Sequence, residues 1–218
     1  MFCRKFLFLL LASALVAAGC SSPLRIAGRP FIVSDVPPDF PRLPLRIAVV
    51  RTGAMQAFPT RLAEKELLGQ KLAESALQGM VEAARLIAVQ ADLLDAPPAA
   101  GYDLILTPAN PYFDLQSDSE GLHVTLSLDV AVRDPARQKE RGLLLSGEGR
   151  PGRRRTAPVE LQPRDGGPAK IAGVMSAPIH ASPIEEALNN ALFYLALDCA
   201  EKLYKRGQQI IQDRRDGQ

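Results

Sequence analysis

From Leu122 to Val132 every second residue is apolar: Leu122, Val124, Leu126, Leu128, Val130 and Val132 alternate with His123, Thr125, Ser127, Asp129 and Ala131. A repeat of two matches the pleat of a β-strand, whose side chains point to opposite faces in turn. One face of this segment has to meet a core, and the other can meet water. Such a face demands a sheet with a covering layer. Leu143 to Glu148 is expected to pair with it antiparallel, across a turn around Asp134-Pro135.

The remaining elements follow from shorter patterns. Ile47-Ala48-Val49-Val50 is an apolar run suited to a buried strand, and the folded domain is expected to begin at Leu45. Thr60 can cap a helix running from Leu62 to Ala84. Its inward stripe is Leu62, Gly69, Ala73, Ala76, Leu77, Met80 and Ala84, with Glu64, Lys71, Ser75, Gln78 and Glu82 opposite. Leu86 to Gln90 reads either as a second strand or as more helix. Pro97-Pro98 and Gly101 mark a loop before a strand from Tyr102 to Thr107.

The closing helix has the clearest start. Ser182 can be its N-cap, Pro183 takes the first helical position, and Glu185 completes a capping box. Its main stripe is Ile184, Ala187, Leu188, Ala191, Leu192, Leu195, Cys199 and Leu203. Asp198 and Lys202 make a one-turn ion pair worth about a few tenths of a kcal/mol. Opposite the stripe lie Phe193, Leu197, Ala200 and Tyr204, where an amphipathic helix would be polar. Either this helix is sandwiched inside its own domain, or Phe193, Leu197 and Tyr204 form a seam for a protein partner or a second copy. The order strand, helix, strands, helix implies an α/β (α+β) domain over residues 45–206. It would be a small mixed sheet with two main helices on one face. Residues 207–218 read as a polar tail.

The amino terminus follows a different logic. Arg4 and Lys5 precede an uncharged stretch, Phe6 to Ala18, too short to span a bilayer. It ends in Ala17-Ala18-Gly19-Cys20, which resembles the lipobox of bacterial lipoproteins, with Ala17 where that family more often has Leu. The resemblance implies a signal peptide over residues 1–19, cleavage before Cys20, and acyl chains on Cys20 as a stable membrane anchor. Ser21 and Ser22, rather than Asp, follow the cysteine. By analogy with the family, that implies the outer membrane, with the domain facing the periplasm. Residues 20–44 read as a tether, since Pro23, Pro30, Pro37, Pro38, Pro41 and Pro44 favour extended chain that could reach roughly 70 Å. Phe31-Ile32-Val33 interrupts it, as an edge strand of the domain or as a segment docked in a groove.

Removing the leader leaves 24 basic and 24 acidic residues, because Arg4 and Lys5 are the only charges lost from 26 and 24. That balance gives no reason to expect a nucleic-acid partner. Cys3 leaves with the leader and Cys20 takes lipid, so Cys199 has no internal partner and suits a small buried hydrophobe.

Four further segments carry a resemblance of the domain itself: Leu45-Arg46-Ile47-Ala48-Val49-Val50, Gly101-Tyr102-Asp103-Leu104-Ile105-Leu106, the alternating strand ending at Arg133-Asp134, and Gly147-Glu148-Gly149. Together they resemble the TolB amino-terminal domain and the LpoB-, YajG- and CsgG-type envelope lipoproteins. The resemblance implies action by binding or assembly in the envelope, without covalent chemistry, and carries over no interface residue.

No catalytic group, metal site or cofactor other than the lipid on Cys20 is expected. His123 and His180 have no close-spaced Cys or His partner, and Asp114, Asp118 and Glu120 depart from a calcium-loop spacing. Arg150, Arg153, Arg154 and Arg155 read as a solvated loop or as a contact for an anionic envelope component. The leading expectation is a non-enzymatic accessory or assembly lipoprotein that binds an envelope protein or itself. An auxiliary or ring subunit of an envelope transport or secretion system comes second, and a cell-wall enzyme third.

Overall fold

The alternating segment lies within a five-stranded sheet, flanked on both sides. The computed structural model describes residues 24–35, 40–60, 65–98, 100–119, 121–152, 156–161, 169–175 and 181–216. In chain order the elements are β1 (Phe31–Asp35), β2 (Leu43–Val50), a short 3-10 turn (Gly53–Met55), α1 (Lys65–Ile87), β3 (Ala88–Leu94), β4 (Leu104–Asp118), β5 (Gly121–Asp134), β6 (Lys139–Gly149), β7 (Thr156–Leu161), β8 (Ala169–Met175) and α2 (Pro183–Arg215). The main sheet has the order β3-β2-β4-β5-β6, and β1, β8 and β7 form a second, three-stranded sheet. Strand β2 runs parallel to β3 and β4, whereas β4, β5 and β6 are antiparallel neighbours. The protein is thus a mixed α/β domain covered by two main helices, as the order of patterns implies.

Period two decides which face is buried. Val124, Leu126, Leu128, Val130 and Val132 of β5 are almost wholly buried in one cluster that also takes Leu45, Ile47 and Val49 of β2, Leu104 and Leu106 of β4, and residues from both helices. Burying such a side chain stabilises by about 1.5–3 kcal/mol. Ordering a residue's backbone costs about 1–2 kcal/mol. One buried residue in two therefore roughly offsets the cost of extending the strand. A smaller cluster, Ala48, Val50 and Ile105 with Tyr102 and Leu94 against it, covers part of the other face.

Helix α2 lies directly on β6, and two glycines allow it. A Cβ at Gly147 would fall on the backbone of Ala191 and Leu195, and one at Gly149 on that of Ala187 and Ala191. Asp198 and Lys202, 2.7 Å apart, do more than pair with each other. Asp198 accepts from the Ser146 N–H at 2.8 Å, and Lys202 donates to the Leu144 carbonyl at 2.7 Å. These are outward backbone groups of the edge strand β6, so the pair blocks part of an edge that would otherwise invite another strand.

Several boundaries move. Helix α1 runs on to Ile87, and the second strand occupies Ala88–Leu94 instead of Leu86–Gln90. The strand expected at Tyr102–Thr107 continues to Asp118, since its partner β5 pairs with it along that length. Residues from 207 on are no loose tail. Helix α2 extends to Arg215, Gly207 packs on Leu43 and Leu45, and Arg214 reaches Asp103 at 2.9 Å and Asp134 at 3.1 Å. The polar composition there satisfies charged groups at the rim of the sheet. Ser75, placed by its pattern on the solvent side of α1, is buried because chain lies over it.

Two outcomes are expected. Gly147→Ala or Gly149→Ala should destabilise by about 1–3 kcal/mol through overpacking, lowering the melting temperature by about 2–4 °C per kcal/mol; an unchanged melting curve would contradict the backbone contact. Cys199 is fully buried, and burial raises its thiol pKa well above the ordinary value. Its alkylation in the native protein should therefore be slow and should become fast only in denaturant, as followed by intact-mass spectrometry.

Candidate functional site

A polar ladder on an otherwise apolar helix organises the amino-terminal end of α2. The capping box forms as its residues demand: Glu185 accepts from the Ser182 N–H at 2.7 Å, and Ser182 Oγ accepts from Glu185 N–H. The same carboxylate turns its other oxygen outward and accepts from the backbone N–H of Arg25 at 2.7 Å, with Arg25 Nε at 3.3 Å. One helical turn later Asn189 Oδ1 accepts from Ala27 N–H at 2.7 Å. Its Nδ2 donates to the carbonyls of Arg25 and Glu185. From α1, Ser75 Oγ donates to the Ala27 carbonyl at 2.5 Å. Unsatisfied polar groups in such a buried place would each cost about 1–3 kcal/mol. The ladder therefore specifies that residues 25–27 lie here and nowhere else.

The strap continues along the fold. Phe31 is fully buried with its ring 6.1 Å from that of Phe193, and β1 pairs antiparallel with β8. Phe40 packs on Tyr204 at 6.1 Å, and the Tyr204 hydroxyl donates to the Pro41 carbonyl at 3.2 Å. The segment read as a tether over residues 20–44 is thus folded onto the domain at least from 24 to 35 and from 40 to 44. Its prolines suit an extended strap as well as an extended tether, because backbone donors bonded to α2 come from Arg25 and Ala27 rather than from proline.

The predicted seam is accounted for by the same strap. Phe193 is 0% exposed, Leu197 6% and Tyr204 2%. They face α1 and the amino-terminal segment, so the apolar second side of α2 is core, and the partner-seam reading is replaced by the sandwiched one. Arg150 sits beside the ladder: its carbonyl accepts from Asn190 Nδ2 at 2.5 Å, and Gly152 N–H donates to Glu186 at 3.0 Å. Cys20, Arg153, Arg154, Arg155, Glu120 and His180 lie outside the described residues. His123 stands on the outer face of β5, with Nε2 3.5 Å from Glu148, and Asp114 and Asp118 lie toward the turn end of the β4–β5 hairpin. Among the described residues no cluster of His, Cys, Asp and Glu is arranged to hold a metal ion.

Sequence reasoning found Glu185 as a cap but missed its second duty, and it missed Asn189 and Asn190 altogether. Two buried asparagines inside an apolar helix were the available signal, since such groups require partners. It also missed a crevice of about 350 Å³ at the carboxyl end of β2, lined by Arg51, Thr52, Gln56, Gln70 and Glu74 beside Met55 and Leu77. Open α/β sheets often hold ligands at this end of a strand. Arg51 is paired there with Asp95 at 3.4 Å, and Thr52 donates to the Pro108 carbonyl.

No family model matches the chain, and no curated protein matches it. Among solved structures, one described as "Crystal structure of uncharacterized protein" is similar at 15% identity and a TM-score of 0.30, covering 78% of this chain and 95% of that one.

The ladder has a pH signature. Burial alone would raise the Glu185 pKa, but the hydrogen bonds from Ser182 and Arg25 outweigh it and lower the value from 4.5 to about 2. A depressed carboxyl stabilises the fold above its unfolded value and ceases to do so as pH falls through its folded value. Glu185→Gln should therefore cost about 1–3 kcal/mol at neutral pH, and its deficit against the native chain should shrink between pH 4.5 and about 2 in paired thermal melts. Asn189→Ala should expose Arg25 and Arg29 to trypsin; equal cleavage rates in native and variant chains would show that the strap is held by something else.

Proposed function

We propose that the chain is a lipoprotein of the cell envelope, anchored by acyl chains on Cys20 in the outer membrane, with its domain facing the periplasm. In this reading it is a non-enzymatic accessory or assembly factor that binds another envelope component. The observation that carries the reading is the leader ending in Ala17-Ala18-Gly19-Cys20. No helix among the described residues is long and apolar enough to cross a membrane, so attachment in this reading rests on the lipid.

The strap gives the proposal a geometry. Only positions 21–23 separate Cys20 from Leu24, the first described residue. Four residue steps span at most about 14 Å. The amino-terminal end of α2, with Arg25 and Arg150 beside it, would then rest close to the lipid surface, where a freely reaching arm of roughly 70 Å would have let the domain wander. Basic residues held near anionic headgroups add about 1 kcal/mol each.

Mass spectrometry of the native protein is expected to show a chain beginning at an acylated Cys20. Cys20→Ser should retain the leader and move the protein out of the outer-membrane fraction. In-cell crosslinking should then recover an envelope protein or a second copy with the native chain. An unmodified thiol at Cys20 would end the anchoring part of the reading, and recovery of the monomer alone would end the assembly part.

A further inference from the structure

The other end of α2 carries a cleft whose charges are not balanced from within. Strand β6 alternates, so Leu145, Leu143, Arg141 and Lys139 share the face that looks toward α2; Arg141 stands opposite Val132, and Lys139 opposite Asp134. There the apolar row gives way to two bases. Helix α2 faces them with Arg206 and Asp213, the β5–β6 turn adds Arg137, and Val132 and Ile210 form an apolar floor. Four cations therefore meet two carboxylates.

Neither carboxylate is spare in the ordinary sense. Asp134 accepts from Arg214 at 3.1 Å and from Ala136 N–H at 3.1 Å. Asp213 partly offsets Arg206, and its carbonyl accepts from Arg137. Lys139 and Arg141 have no hydrogen bond or ion pair among the described residues. Arg206 is placed against Arg141, and its pKa is lowered by burial first and by Arg141 second. Two like charges facing one cleft repel, and a bound anion would turn that repulsion into attraction.

Two plainer explanations fall short. Cations at the end of a helix complement its dipole, but that effect fades within the last turn. Arg206 lies more than two turns before the C-cap at Asp216, and the other three bases are not on the helix. Inward charges also guard sheet edges, yet Asp198 and Lys202 already occupy the β6 edge at Ser146 and Leu144.

We propose that this cleft, formed by Arg137, Lys139, Arg141 and Arg206, binds a phosphate-bearing anion. Planar guanidinium forks match phosphate oxygens two at a time, and three such forks converge here with one ammonium. The cleft lies about 30 Å along α2 from the Arg25–Ala27 end of the strap, so it does not share the surface on which the anchored end would rest. It also stands whether or not Cys20 is lipidated.

The test uses the full chain with two probes. Inorganic phosphate is titrated by calorimetry. Vesicles of phosphatidylcholine, with and without phosphatidylglycerol, are compared by flotation, and only the difference between them counts, because an acyl anchor would enter both. The variants are Arg141→Gln and the double variant Arg141→Gln/Arg206→Gln, with circular dichroism as the check on folding. Arg141 is exposed, so the single variant keeps the test open if the double one fails to fold. Phosphate binding that weakens at least tenfold in the variants upholds the site with a soluble ligand. A preference for phosphatidylglycerol that the variants lose, without phosphate binding, upholds it with a lipid headgroup. Absence of binding to both probes, or equal binding by native and variant chains, overturns it.

Discussion

Nearly every side of α2 is buried from Ala187 to Ala200, and the other elements can be understood by what each side of it needs. Toward the sheet it approaches β6 so closely that Gly147 and Gly149 leave no room for a side chain. Away from the sheet it presents Phe193, Leu197 and Tyr204 to α1 and to the amino-terminal segment. A helix with two apolar sides cannot sit at a surface; it has to be the middle layer. The main sheet lies on one side of it, β1, β8 and β7 touch it elsewhere, and α1 packs beside it while also meeting β2 and β3 of that sheet.

A middle-layer helix raises a problem of specificity, because apolar surfaces accept many arrangements. The buried polar groups restrict the choice. Glu185, Asn189 and Ser75 meet backbone groups of Arg25 and Ala27, and Asn190 meets that of Arg150. Each would carry a desolvation penalty if the segment shifted by one residue. The amino-terminal strap is therefore a structural part of the domain rather than a spacer before it.

The two ends of α2 differ in chemistry as a result. At the first end Glu185, Asn189 and Ser75 are engaged by backbone groups of the strap, and Arg25 and Arg150 stand near the point where the chain enters. At the far end the sheet outruns the apolar part of the helix, and the inward positions of β6 become Arg141 and Lys139. The proposed anchor and the proposed anion cleft are compatible with one axis about 30 Å long. In the proposed reading the protein would hold one end at a bilayer and present the other to the compartment.

Local patterns were enough for the elements with strong periodicity or strong caps. The alternation over Leu122–Val132 marked β5, Leu143–Glu148 marked its partner, and Ser182-Pro183-Glu185 marked the start of α2. These signals are legible because pleat and helix repeat act between near neighbours in sequence. What residues 24–44 do could not be read that way. A proline-rich segment can be strap or spacer, and the choice lies in hydrogen bonds to residues some 160 positions away. The same holds for the second side of α2, which became core only through what covers it, and for the cleft, whose bases come from a turn, a strand and a helix. The chain itself determined its periodicities and its caps, while contact across long sequence separation decided which surfaces were left for water, because burial is a property of neighbours in space.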